Sequence, residues 1–77
     1  SVSMATVYVQ NNTGGELCYE VYGTGIDSQC FSAGEHLYGT FPSGNYEFYA
    51  TSRCGIVNNF ADYDGDMVHI FRCNILH

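Results

Sequence analysis

The sequence contains no lysine and no tryptophan, and only one proline and two basic residues among its 77 positions. Charged side chains make up 13% of the chain, about half the usual quarter. Eight acidic residues give a net charge of −6 with neutral histidines. Nucleic acids and anionic membranes bind clusters of Lys and Arg, so the shortage of basic residues excludes both as principal partners. The absence of lysine also excludes Lys–Asn isopeptide crosslinks.

Long apolar runs are missing as well. No stretch approaches the roughly 18 consecutive apolar residues that a transmembrane helix needs, and no segment keeps apolar residues at helical spacing over three turns. Apolar residues nevertheless form 45% of the chain and aromatic residues 16%, which is enough for a core and argues against disorder. We therefore expect residues 1–77 to form a single small β-rich domain.

Alternating apolar and polar residues predict six or seven short strands. The candidates are Ala5–Gln10, Glu16–Tyr22, Gln29–Ala33, His36–Phe41, Asn45–Thr51, Ile56–Asp62 and Met67–Cys73. Turn-forming residues separate them, and Asp-Gly within Tyr63–Asp66 predicts a hairpin between the last two strands. Short strands with regularly spaced turns are typical of a sandwich or a small barrel, and we expect an all-β, antiparallel sandwich.

Four cysteines, Cys18, Cys30, Cys54 and Cys73, are all at least twelve positions apart. This spacing lacks the close pairs of zinc sites and of redox C-x-x-C motifs. An even number in so short a chain predicts two disulfides and an oxidising, extracytoplasmic compartment. Of the three possible pairings we favour Cys18–Cys30 and Cys54–Cys73, because each pair brackets a predicted turn between strands. The first residue, Ser1, leads us to expect a mature product of signal removal or an excised piece.

The runs Pro42–Ala50 (PSGNYEFYA) and Val7–Gly15 (VYVQNNTGG) each combine a strand with a turn, and Cys54-Gly55 precedes a late Cys73. Together they resemble small secreted immunoglobulin-like and carboxypeptidase-regulatory-like domains. The resemblance implies an immunoglobulin-like sandwich that acts as a spacer, adhesive module or surface-layer part and brings no catalytic residues. The other cysteine pair departs from that pattern. Microbial α-amylase inhibitors are also small, acidic and doubly disulfide-bonded, but their Trp-Arg-Tyr contact loop has no counterpart here.

Acidic residues alternate at Asp62, Asp64 and Asp66, and such oxygen ligands at that spacing are a candidate Ca²⁺ site. Gly65 falls at position 4 of a calcium loop rather than position 6, and the downstream Glu is missing. A solvated turn between strands explains the same residues.

The histidines His36, His69 and His77 are scattered, and none has a second His or Cys at ligand spacing. We expect His69 to be a strand side chain at a surface or an interface. No spacing specifies a nucleophile with its base or a paired acid and base. We therefore predict a protein that is not an enzyme and binds no metal and no cofactor.

Two surface features have alternative explanations. Asn11-Asn12-Thr13 is a glycosylation sequon in a predicted turn, which makes Asn11 a glycosylation candidate. Arg53 beside Cys54 could be displayed on a disulfide-anchored loop, as in some protease inhibitors, although a lone surface arginine is commoner.

Tyr8, Tyr22, Tyr49 and Tyr63 fall on strand faces opposite the predicted core positions. Tyrosine offers a large contact area with a polar group, so these faces are candidates for contact with a glycan or another subunit. The alternative is that both faces of a small sandwich are partly covered.

The segment Ser1–Val9 is uncharged and β-prone, so it could pair with a neighbouring subunit's sheet edge or simply complete its own sheet. These features favour a secreted, non-enzymatic structural domain at or beyond the cell surface, a self-assembling subunit of a fibre or surface layer. The candidate contact residues are Val7, Tyr8, Val9, Tyr22 and Tyr49. The alternative is a small secreted binding protein, either an enzyme inhibitor or a carbohydrate-binding module.

Overall fold

Residues 3–73, the part of the chain described in the computed structural model, form seven strands arranged in two sheets. The strands are Met4–Asn12 (β1), Leu17–Val21 (β2), Gln29–Phe31 (β3), Gly34–Pro42 (β4), Gly44–Ser52 (β5), Gly55–Tyr63 (β6) and Gly65–Arg72 (β7). This part of the chain includes no helix with the length and apolar character needed to cross a lipid bilayer. The prediction of a small all-β sandwich is confirmed.

One sheet has the strand order β4-β1-β7 and the other has the order β3-β2-β5-β6. Paired strands are antiparallel except β1 and β7, which are parallel. The chain changes sheet four times: between β1 and β2, between β3 and β4, at Ser43 between β4 and β5, and at Asp64 between β6 and β7. The predicted hairpin over Tyr63–Asp66 is therefore wrong. Gly65 has a φ of 58°, a left-handed conformation that suits glycine, and it leads the chain into the opposite sheet, where β7 pairs with β1.

Strand β1 is the central strand of the three-stranded sheet. Val7 lies opposite Gly39 of β4 on one side and Met67 of β7 on the other. Because both edges of β1 are paired, the strand completes its own sheet. The predicted pairing of Ser1–Val9 with another subunit is therefore wrong for the described residues. Ser1 and Val2 lie outside those residues. Val7 and Val9 are fully buried, so they are not surface contacts, because their alternation directs them into the core.

Inward-facing residues of both sheets form one core, as the alternation predicts for β1, β2 and β5. Its members are Ala5, Val7, Val9, Leu17, Tyr19, Val21, Phe31, Tyr38, Phe41, Phe48, Ala50 and Tyr63. Tyr63 was expected to face outward, and this prediction is wrong. It lies opposite Gly44 in the β5–β6 register and shares the inner face with Ala61, which lies opposite Tyr46.

Both predicted disulfide pairings are confirmed. Cys18 and Cys30 are directly opposite each other on β2 and β3. The second bridge ties Cys54, in the turn between β5 and β6, to Cys73 after β7, and so joins the two sheets at one end. Sequence separations of 12 and 19 correspond to about 3 kcal/mol of stabilisation for each bridge in the chain-entropy model.

Candidate interaction surface

Strand β6 is an edge strand of the four-stranded sheet, and the facing sheet has only three strands. The inner face of β6 is consequently left uncovered along most of its length. Ala50 of β5 is 2% exposed, whereas Val57, its neighbour on β6, is 47% exposed. All six residues from Gly55 to Phe60 are exposed, on both faces of the strand. This strand therefore projects beyond the core and presents one edge and both faces to solvent.

The exposed part of β6 is apolar and uncharged. Ile56 is 70% exposed and Phe60 is 64% exposed, the highest values among the large hydrophobic residues of the described chain. No charged residue and no proline occurs between Gly55 and Ala61. Natural sheets usually protect a free edge with charge, proline or a bulge, and an exposed apolar edge invites pairing with another strand. We call the segment Gly55–Ala61 the open edge.

Two tyrosines lie on the outer face of the same sheet, beside the open edge. The rings of Tyr22 and Tyr49 meet edge to face at a centroid distance of 5.0 Å. Nearby, the Asn58 side-chain amide donates to Glu47 Oε2 at 3.1 Å, and Glu47 lies opposite Phe60 in the β5–β6 register. The predicted outward orientation of Tyr22 and Tyr49 is thus observed, on a face continuous with the open edge.

The remaining predicted contact residue, Tyr8, lies on the outer face of the three-stranded sheet. It is half-buried, and its register partners are Leu37 on β4 and Val68 on β7. Leu37 and Val68 are both exposed, so these three residues form a second apolar row across a sheet face.

Asn11 is buried, and the prediction that it is a surface glycosylation site is wrong for the folded domain. Its side chain is 1% exposed. The amide nitrogen donates to the carbonyl oxygens of Gly15 at 2.7 Å and Phe31 at 3.0 Å. The amide oxygen accepts from Thr13 through the backbone N–H at 3.0 Å and the hydroxyl at 2.6 Å. Asn11 instead holds together the turn that follows β1.

Arg53 lies along this same turn. A Cβ built at Gly14 would stand 2.9 Å from an Arg53 guanidinium nitrogen, and one at Gly15 would stand 3.4 Å from its Cδ. Gly14 also has a φ of 83°, which favours glycine. The side chain of Arg53 therefore packs on the glycine turn, and this placement gives no support to its display as an inhibitor contact.

The acidic residues Asp62, Asp64 and Asp66 do not converge on a common point within the described residues. Asp62 accepts a hydrogen bond from the Asn45 amide at 2.8 Å, and Asp64 accepts one from the Ser43 hydroxyl at 3.3 Å. Asp62 and Asp64 line a shallow depression of about 460 Å³. The geometry does not support the calcium candidate, because its oxygen ligands are engaged by different neighbours.

One group of three potential metal ligands is found in the described part of the chain, namely Glu16, Cys18 and Cys30. Both of its sulfur atoms belong to the Cys18–Cys30 disulfide. The group therefore has no thiolate with which to bind a metal.

His69 was predicted to lie at a surface or an interface. It lies instead on the inner side of β7. Its Nδ1 is 3.1 Å from the Tyr19 hydroxyl, which is in turn hydrogen-bonded to the Tyr63 hydroxyl. When neutral His69 has an unprotonated Nδ1, Tyr19 can donate to it and accept from Tyr63. His36 instead contacts backbone carbonyl oxygens and stacks on Phe31. His77 lies outside the described residues.

The buried titratable groups predict a stability maximum between pH 6.5 and 10. Burial lowers the pKa of His69 from its ordinary 6.5 and raises the pKa values of Tyr19, Tyr38 and Tyr63 above the ordinary 10.0. Below pH 6.5 the unfolded chain takes up a His69 proton that the folded chain does not, so stability falls as pH falls. Above pH 10 the unfolded tyrosines lose protons that the folded ones retain, so stability falls as pH rises. Each group changes the unfolding free energy by up to ~1.4 kcal/mol per pH unit.

Thermal melts at a series of pH values measure this dependence. The variant His69→Phe should lose most of the slope between about pH 5.5 and 6.5, where ordinary carboxylates remain ionised. An unchanged slope in that variant would show that other groups control the acid side.

Comparisons of the chain with protein-family models, with curated proteins and with solved structures found no match.

Proposed function

We propose that this chain is a non-enzymatic structural domain of an extracellular or cell-surface assembly, and that its copies associate through the open edge of β6. Two disulfides in a small domain support an oxidising compartment. The single observation that carries the proposal is the uncovered, uncharged edge strand with its exposed Ile56 and Phe60.

Strand pairing at this edge would satisfy the free backbone groups of β6 and cover its apolar side chains in one step. Electrostatics favours the same location. The chain has a net charge of −6, so two copies repel each other over most approaches. Gly55–Ala61 carries no charge, so two copies that pair along this segment do not place carboxylates of the segment opposite each other.

Placing a charge on the open edge should weaken self-association. For Phe60→Lys we expect the loss of about 1.5–3 kcal/mol of apolar burial in each copy, and because both copies of a pair carry the substitution, the dissociation constant should rise about a hundred-fold or more. Light scattering and sedimentation equilibrium over a range of protein concentrations measure this change. Leu37→Lys is the matched control, because Leu37 is also exposed and apolar but lies on β4 in the other sheet.

Equal weakening by both variants would mean that association does not depend specifically on the open edge. A wild-type chain that stays an 8.5 kDa monomer at every concentration would overturn the proposal. The pair Tyr22 and Tyr49 beside Glu47 would then favour the alternative function, a small secreted binding protein. Tyrosine fluorescence during a glycan titration, with Tyr49→Ala for comparison, would test that alternative.

A further inference from the structure

We infer that the partner of β6 is β6 of a second copy, paired antiparallel about a two-fold axis that passes through Asn58. This inference rests on the proposed self-association and specifies its geometry. The evidence is the order of exposed side chains along the strand and their division between the two faces.

The faces of the sheet restrict the possible registers. A two-fold axis perpendicular to the sheet keeps the outer faces of both copies on the same side. Residues directly opposite each other must then point to the same face. A shift of the register by one residue would place an outer side chain opposite an inner one. On β6 the outer face carries Ile56, Asn58 and Phe60, and the inner face carries Val57, Asn59 and Ala61. The axis must therefore pass through a residue and not between two residues.

An axis at Asn58 pairs the two most exposed large hydrophobic residues of the described chain. Ile56 of each copy then lies opposite Phe60 of the other, so this contact forms twice on the outer face. Aromatic and β-branched residues are favourable cross-strand partners. The two Asn58 side chains lie opposite each other at the axis, and each keeps its amide hydrogens on Glu47 Oε2 and the Phe48 carbonyl oxygen of its own copy.

The same register also fixes the inner-face pairs. Val57 lies opposite Asn59 of the second copy, which places an apolar residue against a polar one, and Gly55 lies opposite its Ala61, which places two small residues together. Asp62 falls opposite Cys54 and therefore next to Arg53 of the second copy. The Arg53 side chain packs on the Gly14-Gly15 turn of its own copy, so this register assigns it no ion pair with that carboxylate.

The neighbouring register is less favourable. An axis at Asn59 would place Ile56 opposite Asp62 of the second copy and Phe60 opposite its Asn58. Both exposed apolar residues would then face polar partners, and one of these is a carboxylate. The pattern of β6 is self-complementary about Asn58 and not about Asn59.

Pairing of this kind closes on itself. Each copy has one β6, and a two-fold contact uses the free edge of both. The product is a dimer with a continuous sheet of four strands from each copy. Growth beyond a dimer would require a second surface.

Thiol crosslinking of the full chain tests the register. The four native cysteines are held in disulfides, so a thiol-specific reagent reports only introduced cysteines. Asn58→Cys should convert from 8.5 kDa to a covalent species of twice that mass, since only a residue at the axis meets its own copy. Ile56→Cys and Phe60→Cys should each crosslink poorly alone, because equivalent residues are about 14 Å apart, and efficiently when mixed. The reagent must be shorter than this separation, and Leu37→Cys is the control for random collision.

The outcomes separate this inference from the proposed function. If wild-type protein is dimeric by light scattering but Asn58→Cys crosslinks no better than Leu37→Cys, the register is wrong while self-association stands. If wild-type protein is monomeric, both fail. Each variant is first checked for a circular dichroism spectrum like that of the wild-type protein. If a variant of Ile56 or Phe60 does not fold, the mixed pair Val57→Cys and Asn59→Cys replaces it. This register also places Val57 and Asn59 in contact.

Discussion

Replacing Tyr19 with alanine is expected to leave the chain largely unfolded at room temperature. Tyr19 is completely buried, and its ring packs edge to face on Tyr38 at 5.0 Å and stacks near Phe48 at 5.9 Å. It also approaches Phe71 of the opposite sheet at 5.5 Å. This one side chain therefore connects both layers of the sandwich.

The expected loss is comparable to the whole stability of the domain. Truncation of a buried aromatic ring to alanine costs about 3–5 kcal/mol. The hydroxyl of Tyr63 and the imidazole of His69 would lose their shared partner, at a further cost of about 1–3 kcal/mol. A domain of 77 residues has a total stability of roughly 4–12 kcal/mol.

Circular dichroism and urea denaturation with the disulfides intact measure this loss. Tyr22→Ala is the matched control, because Tyr22 is 46% exposed and should cost less than about 1 kcal/mol. Tyr19→Phe keeps the ring and removes only the hydroxyl, so it should fall between the two. A cooperative transition for Tyr19→Ala close to that of the wild-type protein would show that the core rearranges around the missing ring.

Asn11→Asp should destabilise the domain nearly as strongly, although it changes only one amide group. The Asn11 nitrogen donates to two carbonyl oxygens, and an aspartate would place an oxygen acceptor against both. A buried carboxylate without a counter-charge costs about 3–5 kcal/mol when ionised. Protonation relieves part of this cost, so the loss of stability relative to the wild-type protein should shrink as the pH is lowered towards about 4.

The neighbouring residue provides the control for this prediction. Asn12 is exposed, and Asn12→Asp adds the same charge one position later, where we expect a change within about 0.5 kcal/mol. The urea midpoint of each variant at neutral and acid pH gives both the size of the loss and its pH dependence. Similar midpoints for the two variants would contradict the structural role assigned to the Asn11 amide.

The sequence predicted Asn11 as a glycan acceptor because a sequon in a turn is usually on the surface. The signal that was available is the local pattern Asn-Asn-Thr-Gly-Gly, in which an Asx side chain can bond to the backbone two residues later. That pattern predicts a side-chain-stabilised turn. It does not reveal that β3 approaches and buries the amide through the Phe31 carbonyl.

The open edge was missed for a related reason. Ile56–Ala61 has apolar residues on both faces, Ile56 and Phe60 on one and Val57 and Ala61 on the other. Such a run is also what a strand buried on both faces would show. The alternation of apolar and polar residues therefore could not distinguish an exposed edge strand from a covered one. The tyrosines opposite the predicted core positions gave the clearer surface signal.

The sequence by itself determined the strands, the inward faces of β1, β2 and β5, and the local Cys18–Cys30 pair, whereas the Cys54–Cys73 pair was favoured from a β6–β7 hairpin that the structure does not contain. These properties depend on local alternation and on turns that bring nearby residues together. Only the tertiary structure decided which sheet each strand joins, so that β6 and β7 separate at Asp64 and Tyr63 turns into the core. It also decided that a sheet of four strands faces one of three. Sheet membership is set by hydrogen bonds between strands far apart in the chain, and this long-range pairing leaves β6 uncovered.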